Sequence, residues 1–215
     1  MIDEFKLAEL LNSRYCHDLA GPIGAVLNGV EFLNEESEVM RDKAKNLITE
    51  SAQQSVARLK FYRQVYGALP QSGDADLSYL KELALEYFRS SKITLIWDLS
   101  TLISNNIFVS HRIAKLILNF MVIATSTLIK GGEIKISIEP TSTGILLVKF
   151  RAIGDVVKFD KEFKDIFDNK INLADLSSKN IQAYYSKRLI NATNSKLKIA
   201  ILENAFNVEI EAKNQ

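Results

Sequence analysis

The sequence predicts an α+β protein in which an N-terminal two-helix hairpin dimerises into a four-helix bundle and is followed by an α/β sandwich. Two long segments at the start of the chain carry apolar residues at steps of three and four, which is the helical period. A short polar connection joins them. The rest of the chain mixes helical segments with short runs typical of strands, some of them separated only by a turn.

The first predicted helix covers about residues 3–34. At about 100° per residue its apolar positions share one face. These positions are Leu11, Tyr15, Leu19, Pro22, Val26, Val30 and Leu33. His17 projects away from the centre of this stripe, so we expect its ring at the surface.

The second predicted helix covers about residues 37–67, with Ser37 as its N-cap and with Gly67 and Pro70 as stop signals. The three-residue connection 34–36 is polar, so the two helices should fold back as an antiparallel hairpin. The apolar and small positions of the second helix again follow the helical period. They are Ala44, Leu47, Ile48, Ser51, Ser55, Leu59, Tyr62 and Tyr66.

A hairpin alone leaves one flank of both stripes exposed to water. Pairing with a second copy removes that exposure, which predicts a homodimer with two-fold symmetry. The alternative is that the hairpin packs on its own C-terminal domain.

We expect a linker at 67–74, which separates a hairpin domain, 1–69, from a sandwich domain, 74–215. Within the second domain we predict helices, strands and one weakly defined region. The helices are 76–91, 110–129 and 178–193, the strands are 93–99, 133–139, 145–151, 196–202 and 206–211, with a turn at 140–144, and the weakly defined region is 155–176.

Composition excludes several classes of protein. A net charge of +1 gives no overall attraction to nucleic acid or to an anionic membrane. No apolar run reaches the roughly 18 residues that a membrane span needs, and the polar N-terminus lacks a signal-peptide layout. One cysteine and two histidines provide too few ligands for a zinc site. We therefore expect a cytoplasmic protein without a resident metal.

His17 and Asp18 form the most informative pair in the chain. A neutral imidazole is a good nucleophile, and an adjacent carboxylate can hold its tautomer and stabilise positive charge. The residues one turn away on the outer face are small, so another protein can approach the ring. They are Ser13, Gly21, Gly24 and Asn28, with Ala20 nearby. Pro22 removes a backbone donor and should distort the helix locally.

The string Leu10-Leu11-Asn12-Ser13-Arg14-Tyr15-Cys16-His17-Asp18-Leu19-Ala20-Gly21-Pro22-Ile23-Gly24-Ala25-Val26-Leu27-Asn28-Gly29 resembles the H-box of two-component histidine kinases. It is still more similar to that of the ChpT-type bacterial histidine phosphotransferases. Residues 58–68 resemble the end of that family's hairpin, and the order of elements after them resembles a kinase ATP-binding (Bergerat-type) domain.

That second domain lacks the residues with which kinases bind nucleotide. In the resemblance, Asn119 retains the first asparagine of the kinase asparagine box, but Ile123 stands where the magnesium-binding asparagine would be. Ala152 replaces the aspartate that binds adenine. The stretch 178–185 contains no glycine, although kinases have a glycine-rich lid there. The resemblance therefore implies a degenerate domain that does not bind ATP.

The resemblance implies a histidine phosphotransferase in a phosphorelay. His17 would accept a phosphoryl group from the receiver domain of a hybrid histidine kinase and pass it to the receiver of a response regulator, with Asp18 assisting. Magnesium would come with the receiver, so no cofactor is expected. Gly21 stands where kinases that are also phosphatases carry Thr or Asn, which implies little phosphatase activity.

We expect the receiver to dock on one face of the hairpin, with weaker contributions from Lys149 and Arg151, because in the family the degenerate domain is thought to help hold the receiver. The expected docking residues are Ser13, Arg14, Gly21, Gly24, Asn28, Lys60 and Arg63. Two alternatives remain. One is an ATP-dependent sensor histidine kinase fragment, and the other is a non-catalytic dimeric adaptor in which His17 is incidental.

Overall fold

A computed structural model describes residues 3–68, 70, 73–141 and 144–213. Two 29-residue helices come first, α1 (Glu4–Phe32) and α2 (Glu38–Tyr66), and they pack along each other as the predicted hairpin. The Asp3 side chain accepts from the Phe5 amide at the start of α1, and Ser37 accepts from the Met40 amide at the start of α2. Both caps satisfy amides that the first helical turn leaves free.

The sandwich follows with helices on one face of a mixed sheet. Its helices are α3 (Leu77–Phe88), α4 (Ser100–Ser104), α5 (His111–Thr127), α6 (Lys161–Phe167) and α7 (Ile181–Ala192), with a short 3-10 helix at Leu173–Asp175. Its strands are β1 (Ile93–Trp97), β2 (Gly132–Pro140), β3 (Ile145–Ile153), β4 (Lys196–Ile201) and β5 (Ala205–Lys213). The strand order is β1-β2-β3-β5-β4, with β1 parallel to β2 and the other pairs antiparallel.

The predicted α+β class is confirmed, and three short elements were missed. No helical pattern marks α4 in the sequence, and α6 and the 3-10 helix lie in the weakly defined region 155–176. Short helices contain too few turns for the helical period to stand out. Leu69, Gln71 and Ser72 of the expected linker, and Ser142 and Thr143 of the expected turn, lie outside the described residues.

Alternation along the strands divides the sheet into two faces. Even-numbered residues of β2, β3 and β5, such as Ile134, Val148 and Val208, are buried against the helical layer. Odd-numbered residues, such as Lys135, Lys149 and Glu209, are exposed on the other face. The hairpin contacts α3, α5 and α7, so it lies on the helical side of the sheet.

The hairpin packs on the sandwich through one side of α2, and α1 contacts α7. Phe61 and Val65 are fully buried there and belong to the same hydrophobic core as the inner face of the sheet. The alternative in which the hairpin packs on its own second domain is therefore realised. Apolar residues nevertheless remain exposed on the hairpin, and these include Ile23, Leu27 and Val56.

Two members of the predicted stripes are exposed. Val30 and Leu59 are about half exposed, with relative accessibilities of 47% and 51%. Gly29 is buried instead, and a Cβ built on it would lie 2.6 Å from the Cγ1 atom of Ile48. The two helices approach so closely at Gly29 that the contact shifts away from Val30. None of the helices in the described ranges combines the length and apolar character that a membrane-crossing segment requires.

Candidate active site

His17 lies in the middle of α1, and its side chain is 85% exposed. The exposed position was predicted from the helical period and is confirmed. The ring makes one polar contact among the described residues, because its Nδ1 atom lies 3.3 Å from Oδ1 of Asp18. Nε2 is therefore the ring nitrogen that is left to meet a reaction partner.

The Asp18 side chain, in contrast to that of His17, is only 16% exposed, and neighbouring side chains donate hydrogen bonds to it. Oδ2 accepts from Nε of Arg14 at 2.9 Å and from the hydroxyl of Tyr62 at 3.1 Å. Arg14 precedes Asp18 by one helical turn, which is the spacing for an ion pair along a helix. The carboxylate next to His17 is thus fixed by donors from both helices of the hairpin.

Tyr62 connects Asp18 to the second domain. Its hydroxyl lies 3.2 Å from the hydroxyl of Tyr87 in α3. Burial, together with the nearby Tyr87 and Asp18, raises the pKa of Tyr62 far above its ordinary range. Tyr62 is therefore protonated at neutral pH and can donate to Asp18.

Pro22 explains a further contact at the site. A proline has no amide hydrogen, so Pro22 cannot donate to the carbonyl of Asp18 one turn earlier. Nη1 of Arg58 in α2 donates to this carbonyl instead. The predicted distortion at Pro22 is thus accommodated by a contact between the two helices, and α1 continues through Pro22 to Phe32.

The small residues around His17 leave space above the helix. Ser13, Gly21 and Asn28 are exposed, and Gly24 is partly exposed. A Cβ atom built on Gly21 or Gly24 would meet nothing within 4 Å. An approaching protein would therefore meet an open surface on this side of α1.

The basic residues expected at the docking surface have different positions. The Arg14 side chain is only 16% exposed, and its guanidinium bonds to Asp18 and to the carbonyl of Lys179, so little of it is left for a partner to contact. Lys60 is half exposed and lies 3.7 Å from Glu86 in a loose ion pair, while Arg63 is exposed.

Lys149 and Arg151 lie on the solvent face of the sheet, away from the helices that contact the hairpin. Lys149 pairs with Glu139 at 2.7 Å on that face. The structure therefore does not bring either residue together with His17, because odd-numbered positions of β3 point outward. Arg58, Tyr62 and Tyr87 were not predicted as site residues, since nothing in the sequence shows which residues of α2 and α3 meet Asp18.

The segments that resemble nucleotide-binding motifs pack directly against each other. Asn119 in α5 and Gln182 in α7 are buried, and Nε2 of Gln182 donates to Oδ1 of Asn119 at 2.6 Å. The Asn119 amide donates to the carbonyls of Lys115 and Val65, and the Tyr66 hydroxyl donates to Gln182. The side chain of Asn119 is therefore engaged by the protein itself.

The fold and this site define a class of protein in which a helical hairpin presents an exposed histidine beside a sandwich domain. The family model for the histidine phosphotransferase C-terminal domain matches residues 77–205, and the chain belongs to that family. Because this match covers more than half of the chain, the resemblance predicted from the sequence is confirmed.

Two further comparisons cover almost the whole chain. Protein phosphotransferase ChpT of Brucella abortus (strain 2308) is 28% identical over 211 residues, which is 96% of this chain and 95% of that protein. A solved structure described as a bacterial phosphotransferase has a TM-score of 0.83 at 26% identity and covers 98% of both chains.

A more distant structural match has the same fold in part. Full-length ShkA in complex with AMPPNP has a TM-score of 0.50 at 17% identity, and the match covers 99% of this chain and 46% of that one. At this level the comparison concerns the fold alone.

Proposed function

We propose that this histidine phosphotransferase acts in a phosphorelay, in which His17 carries the phosphoryl group between two receiver domains. The donor is the receiver of a hybrid histidine kinase and the acceptor is the receiver of a response regulator. The observation that carries the proposal is the exposed imidazole of His17 with its Nδ1 atom on the fixed carboxylate of Asp18. The similarity to protein phosphotransferase ChpT of Brucella abortus supports it.

The chemistry requires little from the protein beyond placement of the ring. Nε2 attacks the phosphorus of an aspartyl phosphate, the bond from phosphorus to the aspartate oxygen breaks, and the electrons return to that carboxylate. Asp18 stabilises the positive charge that develops on the ring. Phosphoryl transfer depends mainly on in-line positioning and charge neutralisation, and the receiver brings the magnesium ion.

The phosphoryl group comes from the receiver because this protein does not use ATP. Ile123 and Ala152 are fully buried and carry neither a magnesium ligand nor an acceptor for adenine. The bond between Asn119 and Gln182 occupies the one retained asparagine. These contacts favour a phosphotransferase over a sensor kinase fragment.

The active form is a homodimer that acts in the cytoplasm. At about 100° per residue, Ile23, Leu27 and Val30 share one flank of α1. All three are exposed, and so are Val56 and Leu59 of the antiparallel α2. Burying this flank against its copy gives a four-helix bundle. The single cysteine is in keeping with a reducing compartment.

Incubation with a receiver that carries a labelled aspartyl phosphate tests the proposal. We expect wild type to become labelled and His17→Ala to remain unlabelled. His111→Ala is the matched control, since it removes the other histidine of the chain, and it should be labelled like wild type. Labelling of His17→Ala would refute the proposal, and so would labelling of wild type by magnesium and ATP alone.

A further inference from the structure

We propose that Arg14 and Tyr62 are positioning residues for His17. They hold one carboxylate oxygen of Asp18, so that the other oxygen stays on Nδ1 and Nε2 is presented as the acceptor atom. The rate consequences rest on the proposed function, whereas the placement of the ring does not.

The geometry assigns a separate task to each oxygen of Asp18. Oδ2 takes both interhelical and intrahelical donors, namely Nε of Arg14 at 2.9 Å and the Tyr62 hydroxyl at 3.1 Å. Oδ1 faces Nδ1 of His17 at 3.3 Å. Because Arg14 is largely covered and Tyr62 is 3% exposed, water cannot readily take over either bond.

Both donors keep their protons. Burial alone would lower the pKa of Arg14, but its bond and ion pair with Asp18 outweigh burial and raise it. Burial raises the pKa of Tyr62. The Asp18 carboxylate is therefore held in one orientation at the near-neutral pH at which a phosphorelay operates.

This orientation decides the tautomer of His17. An ionised carboxylate only accepts hydrogen bonds, so this contact favours the tautomer of a neutral His17 ring that carries its hydrogen on Nδ1. The lone pair is then on Nε2, which points away from Asp18. Without this contact the hydrogen is distributed over both ring nitrogens, and free histidine prefers the tautomer with its hydrogen on Nε2. In that tautomer Nε2 has no lone pair with which to attack.

The reaction balances without loss of a proton. The Nε2 lone pair forms the bond to phosphorus while the bond to the donor aspartate breaks, and the Nδ1 hydrogen stays between the ring and Asp18. The product ring is a phosphorylated imidazolium whose positive charge faces the carboxylate. Transfer to the second receiver reverses the same steps.

Nitrogen-15 NMR of the imidazole rings tests the placement directly, at a pH at which the rings are neutral. The variants are Tyr62→Phe and Arg14→Gln. The matched control is Tyr66→Phe, one turn further along α2. The hydroxyl that it removes donates to Gln182 and not to Asp18. The chain has two histidines, so His111→Gln assigns the spectrum.

We expect the Nδ1–H tautomer of His17 to dominate in wild type and in Tyr66→Phe. Tyr62→Phe and Arg14→Gln should each shift the population severalfold toward Nε2–H and should slow phosphoryl uptake about tenfold, as misplacement of a reacting group does. Should Arg14→Gln fail to fold, Tyr62→Phe gives the same test, because it keeps the ring and its packing.

Unchanged tautomer populations in Tyr62→Phe and Arg14→Gln would overturn the inference, and so would an equal shift in Tyr66→Phe. Failure of the proposed function has a different signature. In that case neither wild type nor any variant takes up a phosphoryl group from any receiver. The tautomer populations of Tyr62→Phe and Arg14→Gln still differ from that of wild type as expected.

Discussion

At the scale of single residues, the site depends on how α1 satisfies its own backbone around Pro22. The missing amide of Pro22 leaves the Asp18 carbonyl without its helical donor, and Arg58 donates to it from α2. We therefore expect Pro22 and Arg58 to be energetically coupled although they lie on different helices. This coupling fixes the backbone of the residue that orients His17.

A double-mutant cycle measures that coupling. Arg58→Met in wild type leaves the Asp18 carbonyl without a donor and should cost about 1–3 kcal/mol in the free energy of unfolding. In Pro22→Ala the new Ala amide donates to this carbonyl. Arg58→Met in that background should therefore lower the free energy of unfolding by about 1 kcal/mol less than it does in wild type. Chemical denaturation of the four proteins gives the numbers, and additive costs would show that Arg58 has no such role.

The exposed part of the site could largely be predicted from the sequence, but the buried contacts between its helices could not. The helical period indicates that His17 is exposed, and the spacing of Arg14 and Asp18 is that of a helical ion pair. The bonds that cover Arg14 were not predicted, because the pattern of a single helix gives no information on which side chains its neighbours cover. The contacts of Tyr62 and Arg58 depend on the register between α1 and α2, which the sequence does not specify.

At the scale of elements, α2 has two buried faces and one exposed apolar flank. One face contacts α1, and the other, with Phe61 and Val65, joins the core of the sandwich. A single predicted stripe could not describe this arrangement, and Leu59 was accordingly wrongly placed in it. The hairpin itself was predictable, because its period, cap and short connection all indicate the same element.

The exposed apolar flank of the hairpin allows the proposed homodimer to be tested. Leu27 is 61% exposed in the single chain, and Leu27→Glu should convert the dimer into a monomer with little loss of monomer stability. Ile103→Glu is the matched control, since Ile103 in α4 is 70% exposed but lies in the sandwich, and it should remain dimeric. Sedimentation velocity distinguishes the two forms. A dimer that persists in Leu27→Glu would place the interface elsewhere.

At the scale of the whole molecule, the hairpin and the sandwich are joined by buried polar contacts. Lys115 in α5 is buried, and its ammonium donates to the carbonyl of Gly67 at the end of α2 at 2.6 Å. Burial lowers the pKa of Lys115 to about 8. The folded protein thus favours the charged form less than the unfolded chain does, although the ammonium keeps a hydrogen bond across the junction.

The pH dependence of stability follows from this pKa. Between pH 8 and pH 10 the unfolded chain holds the Lys115 proton more tightly than the folded protein, so stability rises with pH. Relative to Lys115→Met, wild type should gain about 2 kcal/mol over this interval. The buried tyrosines titrate alike in both proteins and cancel in the difference. Urea denaturation at each pH gives the free energy of unfolding of both proteins as a function of pH. Parallel curves for wild type and Lys115→Met would contradict a lowered pKa of Lys115.

The general architecture was predictable because helix period, strand runs and turns agree along the chain, whereas the junction was not. Asn119 and Gln182 are 63 residues apart in sequence and meet only through the packing of α5 on α7. Sequence indicates which nucleotide-binding residues are missing. It does not indicate that the retained asparagine is bonded within the protein.

The most direct test of the central claim is a relay reconstituted from two receivers and this protein. A labelled donor receiver and an unlabelled acceptor receiver are mixed, and the label on each protein is followed over time. The account predicts that label reaches the acceptor only when wild type is present, passes through a transient phosphohistidine on His17, and fails to arrive with His17→Ala. Transfer to the acceptor at an undiminished rate with His17→Ala would contradict it.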